Sequence, residues 1–473
     1  MMEIPCGMQE QFLEAKELIE SSNDIKIYTH TDCDGICSGA ILSIILDRLN
    51  KDYEIEFVNL DEIEDLDLDH KLTIFSDLGS GQGVDKNAKD GQKILILDHH
   101  PPLRDINYKN DKAYTYLEIN PMFYGIDGSY YVCGGGLCYF LAKTFGFKDL
   151  SWIGVLSAIG DMQNNKTGHF EGLNEIIQED AINEGLLKVT KNDLNIYGRS
   201  TRPLYVALSY FSDVKLPITN NQQEAKVVLE ELGVDEKHNR KTLSEVTEED
   251  KMEIKKFLSR MISKRVPPKY LKYVPKLIVG DAYTFLNEEE GSFLRDGSEF
   301  STAMNACGRN RKEAIGVDII KGDRLVALDA LEEVSKTHKY NLATSISKVA
   351  DNYHSEIIEL DNFQYFDCSD FDEDIASNII GTITGMVLGY CNWKKPILGF
   401  SKPKNNQIKV SLRCSKLLAY DGIHFGNMMR AIAKEVGGTG GGHAIACGAY
   451  IPNEKKSEFL DKFNRKLQGK IAN

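Results

Sequence analysis

Along the first 165 residues, short apolar runs alternate with longer stretches of helical spacing. The runs fall at 25–29, 55–60, 72–76 and 93–97 and are bounded by polar residues, the pattern of buried strands. Between the first two, residues 36–50 repeat their apolar positions at the helical period. Strands alternating with helices predict an α/β unit, a parallel sheet covered by helices on both faces. Three of the runs are followed by short polar sequences: His30 to Gly35, Asp77 to Gly81, and Asp98 to Pro102. Loops at the carboxyl ends of parallel strands are where such folds place ligands.

The pattern changes near residue 190. Residues 222–232 and 247–265 read as amphipathic helices in a charge-rich stretch, and Pro267-Pro268 ends the second of them. Strand-like runs resume at 276–280 and recur at 357–366, 396–401 and 407–413. A helix around 423–435 then runs into the glycine-rich stretch that ends at His443. The chain therefore reads as two α/β parts separated by a mainly helical insertion, with no internal repeat and no long low-complexity linker.

Composition narrows the class. A chain of 473 residues is too long for one ordinary core and predicts two or three domains. A hydrophobic fraction of 42%, a charged fraction of 27% and a mean hydropathy of -0.32 fit a water-soluble globular protein. The longest apolar run is short of the roughly 18 to 20 residues that cross a bilayer. The start, Met1 to Cys6, lacks the cationic and apolar segments of a secretory signal, so the expected location is the cytoplasm and no membrane contact is expected. The ten cysteines include no CxxC pair, which argues against a structural zinc site and for reduced thiols. A net charge of -15 excludes a surface coated in positive charge; a polyanionic substrate would need a local cluster of Lys and Arg.

The candidate chemistry lies in Asp32, Asp34, Asp77, Asp98 and Asp161, with His30, His99 and His100. Singly, such an aspartate is usually a turn or cap residue, and a His-His pair is usually packing. Together, after three successive strands of one sheet, they read as a metal site. Carboxylate with imidazole suits Mn²⁺, Zn²⁺ or Fe²⁺ better than Ca²⁺. In an extended turn, alternate residues share a side, so His30, Asp32 and Asp34 are expected to face one cavity while Thr31 and Cys33 turn away. The charges of Asp32, Asp34, Asp77 and Asp161 would balance two divalent cations, one aspartate bridging.

The order His30-x-Asp32-x-Asp34-Gly35, Asp77, Asp98-His99-His100, Asp161 resembles the DHH phosphoesterase superfamily. Ser411-Leu412-Arg413 and Gly440-Gly441-Gly442-His443-Ala444-x-Ala446-Cys447-Gly448 resemble its associated substrate-binding domain, with Cys447 where a small alanine is usual. Length, the insertion and Asn305-Ala306-Cys307-Gly308-Arg309 resemble the archaeal RecJ-like single-strand exonucleases, the GINS-associated nuclease type. The resemblance implies a parallel-sheet DHH catalytic domain over 1–190 and a mainly helical insertion over 191–285. A return segment and linker over 286–345 and a C-terminal α/β substrate-binding domain over 346–473 would complete the chain.

The resemblance also implies roles. One metal would be held by His30, Asp32 and Asp77, the other by Asp34, Asp77, His99 and Asp161. Asp98 would orient a ligand imidazole, and His100 would face the phosphate, so that Asp34, Asp77, Asp98 and His100 form the catalytic set. The cofactor would be two divalent ions, Mn²⁺ preferred and Mg²⁺ the alternative. Ser411, Arg413, Gly441, Gly442 and His443 would bind substrate, because glycine exposes amides to a phosphate and arginine offers a fork. The implied activity is metal-dependent exonucleolytic hydrolysis of single-stranded DNA or RNA in replication or repair. The alternatives are a phosphodiesterase of short oligonucleotides or dinucleotides, and a replication scaffold bound to the GINS complex. Asn305 and Arg309 read either as contacts to the substrate channel or terminal phosphate, or as a helix end. Arg199, Arg202 and Lys269 read as solvated charges.

Overall fold

The computed structural model describes all residues except Met1, Asp61, 110–112, 235–240, 351–356, 370–372 and 471–473. The chain forms two compact units, Met1–Asn192 with Asp281–Ser335, and Asp193–Gly280 with Lys336–Asn473.

The first unit is built on five parallel strands in the order β2-β1-β3-β4-β5. They are β1 (Ile25–His30), β2 (Tyr53–Val58), β3 (Leu72–Ser76), β4 (Lys93–Leu97) and β5 (Thr115–Ile119). All five residues of β3 are buried, so the strand reads as a continuous apolar run. Leu72 and Ile74 face a core shared with the helices, while Phe75 on the other face packs with Ile63, Leu68, Val84 and Ala88 from turns and loops. Helices thus cover one face of the sheet and not the expected two. The edge strand β2 alternates half-buried and exposed positions, and it begins two residues earlier than its apolar run suggested. β5 was not expected from the sequence: Tyr116 and Glu118 interrupt its apolar pattern, yet Tyr116 Oη donates to Glu118 Oε2 at 2.6 Å.

The helices of this unit include α1 (Cys6–Glu20), α2 (Cys33–Arg48), α3 (Gly134–Thr144), α4 (Ser151–Gly160) and α5 (Leu173–Asn183). α2 starts three residues before the apolar period suggested, because Asp32 caps it: Asp32 Oδ1 accepts the Gly35 N–H at 3.1 Å. α2, α3 and α4 pack on one another, burying Ile41, Leu42, Leu141 and Leu156 completely. Each such side chain contributes about 1.5–3 kcal/mol of burial. α3 and α4 are buried nearly all round, so they lack the contrast between faces by which a sequence announces a helix. From the return segment, the helices Gly297–Arg309 and Glu313–Ile320 pack on α2. The strands β6 (Leu187–Leu194) and β7 (Val279–Phe285) form a two-stranded sheet. The run expected as a strand at 276–280 is instead the end of a short helix, Val274–Ile278, and the start of β7.

The second unit holds a six-stranded sheet ordered β12-β13-β11-β10-β9-β8. Its strands are β8 (Ile358–Glu359), β9 (Gln364–Asp367), β10 (Ile397–Phe400), β11 (Gln407–Arg413), β12 (Thr439–Gly442) and β13 (Ala446–Pro452). Only the β9–β10 pair in this sheet is parallel. The run 357–366 is two strands rather than one, broken at the polar Asp361-Asn362. The helices Gln222–Glu231 and Glu248–Ser263 match their amphipathic patterns; Leu229, Ile254, Leu258 and Ile262 build a core that also takes in Trp393 and Leu417. Among the described residues, no helix is long and apolar enough to cross a membrane. Among the described residues, no cysteine is in a disulfide.

Candidate metal centre

His30 is the last residue of β1, Asp32 caps α2, and Asp34 lies in the first turn of that helix. The expected alternation of His30, Asp32 and Asp34 onto one side is therefore corrected. Extended geometry ends before Cys33, and the helical turn carries Asp34 away from the first two residues to a different cluster. Three groups of donor atoms come together, each within 4.8 Å: His30, Asp32 and Asp77; Asp34, His99 and Asp161; and Asp77, Asp98, His99 and His100.

Asp77 joins the clusters. His99 Nε2 lies 3.2 Å from Asp77 Oδ1 and 3.5 Å from Asp34 Oδ2, and His99 Nδ1 lies 3.9 Å from Asp161 Oδ2. On the other side, His30 Nδ1 lies 3.1 Å from Asp32 Oδ2 and 3.6 Å from Asp77 Oδ2. Asp77 follows β3 directly, and its backbone is left-handed, with φ of 59°. A non-glycine residue adopts that conformation at a cost, and such strain concentrates at functional sites. Its Oδ2 is buried and has no hydrogen-bond partner. An unpaired buried carboxylate oxygen is expensive unless a cation meets it.

The charges point the same way. Burial, then Asp34 and Asp32, push the carboxyl of Asp77 well above its ordinary range. Burial works against a charged His30, but Asp32 and Asp77 outweigh it and hold that imidazole well above its usual value. Burial likewise opposes charge on His99, which Asp161, Asp77 and Asp34 reverse. The carboxylates around His30 and His99 thus favour positive charge at both places. Imidazole and carboxylate donors, with one buried oxygen left over, fit a divalent metal ion.

Neighbouring groups fix the donors. The ring of His99 is oriented by its Nδ1–H, which donates to Gly128 O at 2.7 Å and leaves Nε2 as the donor toward an ion. Asp98 holds the other histidine. Its Oδ1 accepts from His100 Nδ1 at 2.8 Å and from the His99 and His100 amides at 2.8 and 3.2 Å, while Oδ2 accepts from Ser80 N at 2.9 Å. Burial alone would raise the Asp98 pKa; His100, His99 and the Ser80 amide hold it far below the usual carboxylate range. Asp34 is anchored by the amino end of α3. Its oxygens accept the Gly134 N–H at 2.8 Å and the Gly135 N–H at 2.7 Å, and Ser157 Oγ also donates to it. A Cβ at position 135 would stand 2.1 Å from Ser157 Oγ, so only glycine fits. This anchor was not anticipated; the run Cys133-Gly134-Gly135-Gly136 was its signal.

The return segment closes the loop from behind. Asn305 Oδ1 accepts the Cys33 N–H at 3.1 Å, and a Cβ on Gly308 would meet Thr31 O at 1.6 Å. Asn305 to Arg309 form the last turn of the helix Gly297–Arg309, the second of the two readings, and there the Asn305 side chain also holds the backbone between Asp32 and Asp34. Arg309 is half-buried at the end of that helix.

The expected substrate-binding residues gather in the second unit. Ser411 and Arg413 are alternate residues of β11 and share a face. Gly448 of β13 pairs with Ser411 on one side and Gly441 on the other, and Cys447 pairs with Leu412 and Gly442. The His443 N–H donates to Ala446 O at 3.0 Å. Burial lowers the pKa of Arg413, whose Nη1 donates to Leu412 O at 2.8 Å. Gly381 lies against this guanidinium; a Cβ there would be 2.8 Å from Arg413 Nη2. Arg430 was not anticipated. Its guanidinium sits beside Gly441, where a Cβ would be 3.1 Å from Nη2.

Residues 24–155 match the DHH family, N-terminal domain; 196–274 match the DHH-CID domain and 361–469 the DHHA1 domain. An uncharacterized protein of Methanocaldococcus jannaschii is 31% identical over 446 residues, 93% of this chain and 92% of its own. Among solved structures, CDC45 from Entamoeba histolytica matches with a TM-score of 0.61 at 15% identity, over 98% of this chain and 99% of that one. RecJ from Thermus thermophilus, in complex with Mn²⁺, matches with a TM-score of 0.55 at 12% identity, over 99% of this chain. The match covers 55% of that RecJ, so this chain spans about half its length. An exonuclease RecJ bound to manganese matches with a TM-score of 0.51 at 12% identity, over 98% of this chain and 96% of that one. These structural likenesses are of fold. With the three domains in sequence and a relative matched along nearly its whole length, the chain belongs to the DHH superfamily and has a RecJ-like fold.

Proposed function

We propose that this protein is a two-metal phosphodiesterase, Mn²⁺-preferring, that digests single-stranded DNA or RNA from an end in replication or repair. The observation that carries the reading is Asp77, which is shared by two donor clusters, strained in its backbone and left with one buried oxygen that accepts no hydrogen bond. His30, Asp32 and Asp77 would hold one ion, and Asp34, Asp77, His99 and Asp161 the other. When bound, two such ions acidify water and neutralise charge that builds on phosphoryl oxygens. Asp98 fixes the ring of His100 through Nδ1, so that its second nitrogen is free to meet the phosphate. Gly128 O keeps His99 in the tautomer that binds through Nε2. Arg413 would fork onto a strand phosphate, with Ser411, His443 and the amides of Gly441 and Gly442 beside it. In this reading residues 1–190 and 286–345 do the chemistry, 346–473 grip the strand, and 191–285 are the insertion.

Protein stripped with a chelator should fail to shorten end-labelled single strands and should recover with Mn²⁺. Asp77→Ala should stay inactive while folded by circular dichroism. Undiminished cutting after chelation, or by that variant, refutes the reading. The likeness to CDC45 along nearly the whole chain favours a second role, assembly with the GINS complex. Co-purification of GINS with Asp77→Ala as well as with wild type would separate that role from catalysis.

A further inference from the structure

From Lys255 to Lys276 the chain carries eight lysines and arginines and no carboxylate, in a protein of net charge -15. The structure gives this run a face. The helix Glu248–Ser263 buries Ile254, Leu258 and Ile262 on one side and turns Lys256, Arg260 and Ser263 outward. Lys264 and Arg265 extend the same exposed surface past its end. A groove of about 480 Å³ runs along it, with Lys256, Ser259, Arg260 and Ser263 on one wall and Pro275 and Ile278 on the other. Cations and hydroxyls thus oppose an apolar wall. Further on, the rings of Tyr273 and Tyr420 stand 5.4 Å apart, with Lys272 Nζ 4.8 Å from the first ring and Lys276 Nζ 5.6 Å from the second.

Among the described residues, two ion pairs neutralise part of this run. Lys256 pairs with Glu253 at 2.7 Å and Lys269 with Asp421 at 2.6 Å. Among the described residues, Arg260, Lys264, Arg265, Lys272 and Lys276 form no ion pair with a carboxylate. Like charges so placed repel one another until a polyanion takes up their field. Cations spaced along a groove, with aromatic rings among them, are how proteins hold single strands without reading sequence.

We infer that this face binds the phosphate backbone of single-stranded nucleic acid, as a surface additional to the Ser411–Arg413 and Gly441–His443 group. The inference rests on the proposed reading of the substrate as nucleic acid. It gives strand length a role: strands long enough to occupy the groove bind more tightly than short ones, in proportion to the phosphates contacted.

The test is equilibrium binding of a fluorescent oligothymidylate of roughly 20 nucleotides, longer than a typical single-strand site. It is run on the full chain in a chelator, across a salt series. Affinity should fall with salt by about 0.7 log unit per log unit of salt for each phosphate contacted. Arg260→Glu with Lys264→Glu should lower affinity about tenfold or more near 0.1 M salt and flatten the slope by roughly 1 to 1.5. Arg260→Gln with Lys264→Gln, which keeps the helix and adds no charge, should flatten the slope to the same extent with a smaller loss. Lys89→Glu, an exposed lysine of the first unit already paired with Asp69 at 2.9 Å, is the charge control and should leave both unchanged.

Unchanged affinity and slope in the two double variants overturn the inference, as does an equal loss in the control. So does a double variant that binds the strand normally but loses a poly-glutamate peptide, which would make the face an acidic-protein site. A wild type that binds no single strand at all refutes the nucleic-acid reading itself, and so is told apart from a failure of this surface.

Discussion

Replacing Asn305 by leucine removes one acceptor and keeps the branching and the number of side-chain heavy atoms. At the start of α2, the Gly35 N–H goes to Asp32 Oδ1, the Ile36 N–H to Asp32 O at 2.9 Å, and the Cys33 N–H to Asn305. Without Asn305 the Cys33 amide is left part-buried and unpaired in the middle of the donor loop. A lost hydrogen bond of this kind costs about 1–2 kcal/mol, the range also found for helix caps. In a unit of about 250 residues that lowers the melting temperature by roughly 2–8 °C. The larger effect should fall on metal binding, because Asp32 and Asp34 flank the freed amide; supports behind metal ligands are typically worth about 10–100-fold in affinity. Asn305→Asp keeps an acceptor in the same place and should bind Mn²⁺ nearly as well as wild type. Calorimetric Mn²⁺ titration of the three proteins, with melting curves, measures both effects. A leucine variant that binds Mn²⁺ as tightly as wild type, or an aspartate variant that loses as much as leucine, refutes the argument.

Asp77→Asn should stabilise the metal-free protein by roughly 1–3 kcal/mol near pH 8, since a buried carboxylate beside Asp32 and Asp34 becomes neutral and asparagine tolerates the left-handed backbone. The same change should abolish the melting-temperature gain on adding Mn²⁺; a metal-free melting point below wild type contradicts it. Gly135→Ala puts a methyl 2.1 Å from Ser157 Oγ and should cost about 1–3 kcal/mol by denaturant unfolding while displacing Asp34, so an unchanged midpoint counts against the close packing. For pH, Asp193 is informative. Burial alone would raise its pKa, but Arg199 at 2.6 Å and Lys251 at 3.2 Å lower it below the ordinary value. A folded pKa below the unfolded one means stability present above about pH 4 and lost as pH falls through the folded value. Asp193→Asn should therefore flatten the acid limb of melting temperature against pH, and an acid limb as steep as wild type argues against the pairing.

Where a strand is buried on both faces, its apolar run alone marks it, and β3 and β4 begin and end where their runs do. Where polar side chains find partners inside the fold, as Tyr116 and Glu118 do in β5, the run is broken and the strand is hidden. Helices sunk in the core, such as α3 and α4, lose the polar face that would have betrayed them. The same division holds at the site. Residue type and order single out His30, Asp32, Asp34, Asp77, His99 and Asp161, because donor chemistry belongs to each side chain wherever it lies.

By itself, then, the sequence determined which donors exist, that several follow successive parallel strands, and which superfamily the chain resembles. How they are shared out was implied by the resemblance, but only the tertiary structure supplies the contacts that hold each donor in its place. The turn of α2 sends Asp34 to His99 and Asp161 instead of His30. The amides of Gly134 and Gly135 reach it from 100 and 101 residues away, and Asn305 closes the loop from 272 residues away. Local spacing fixes directions over a few residues. Distances between segments that far apart are set by how helices and sheet pack, which is a property of the whole core.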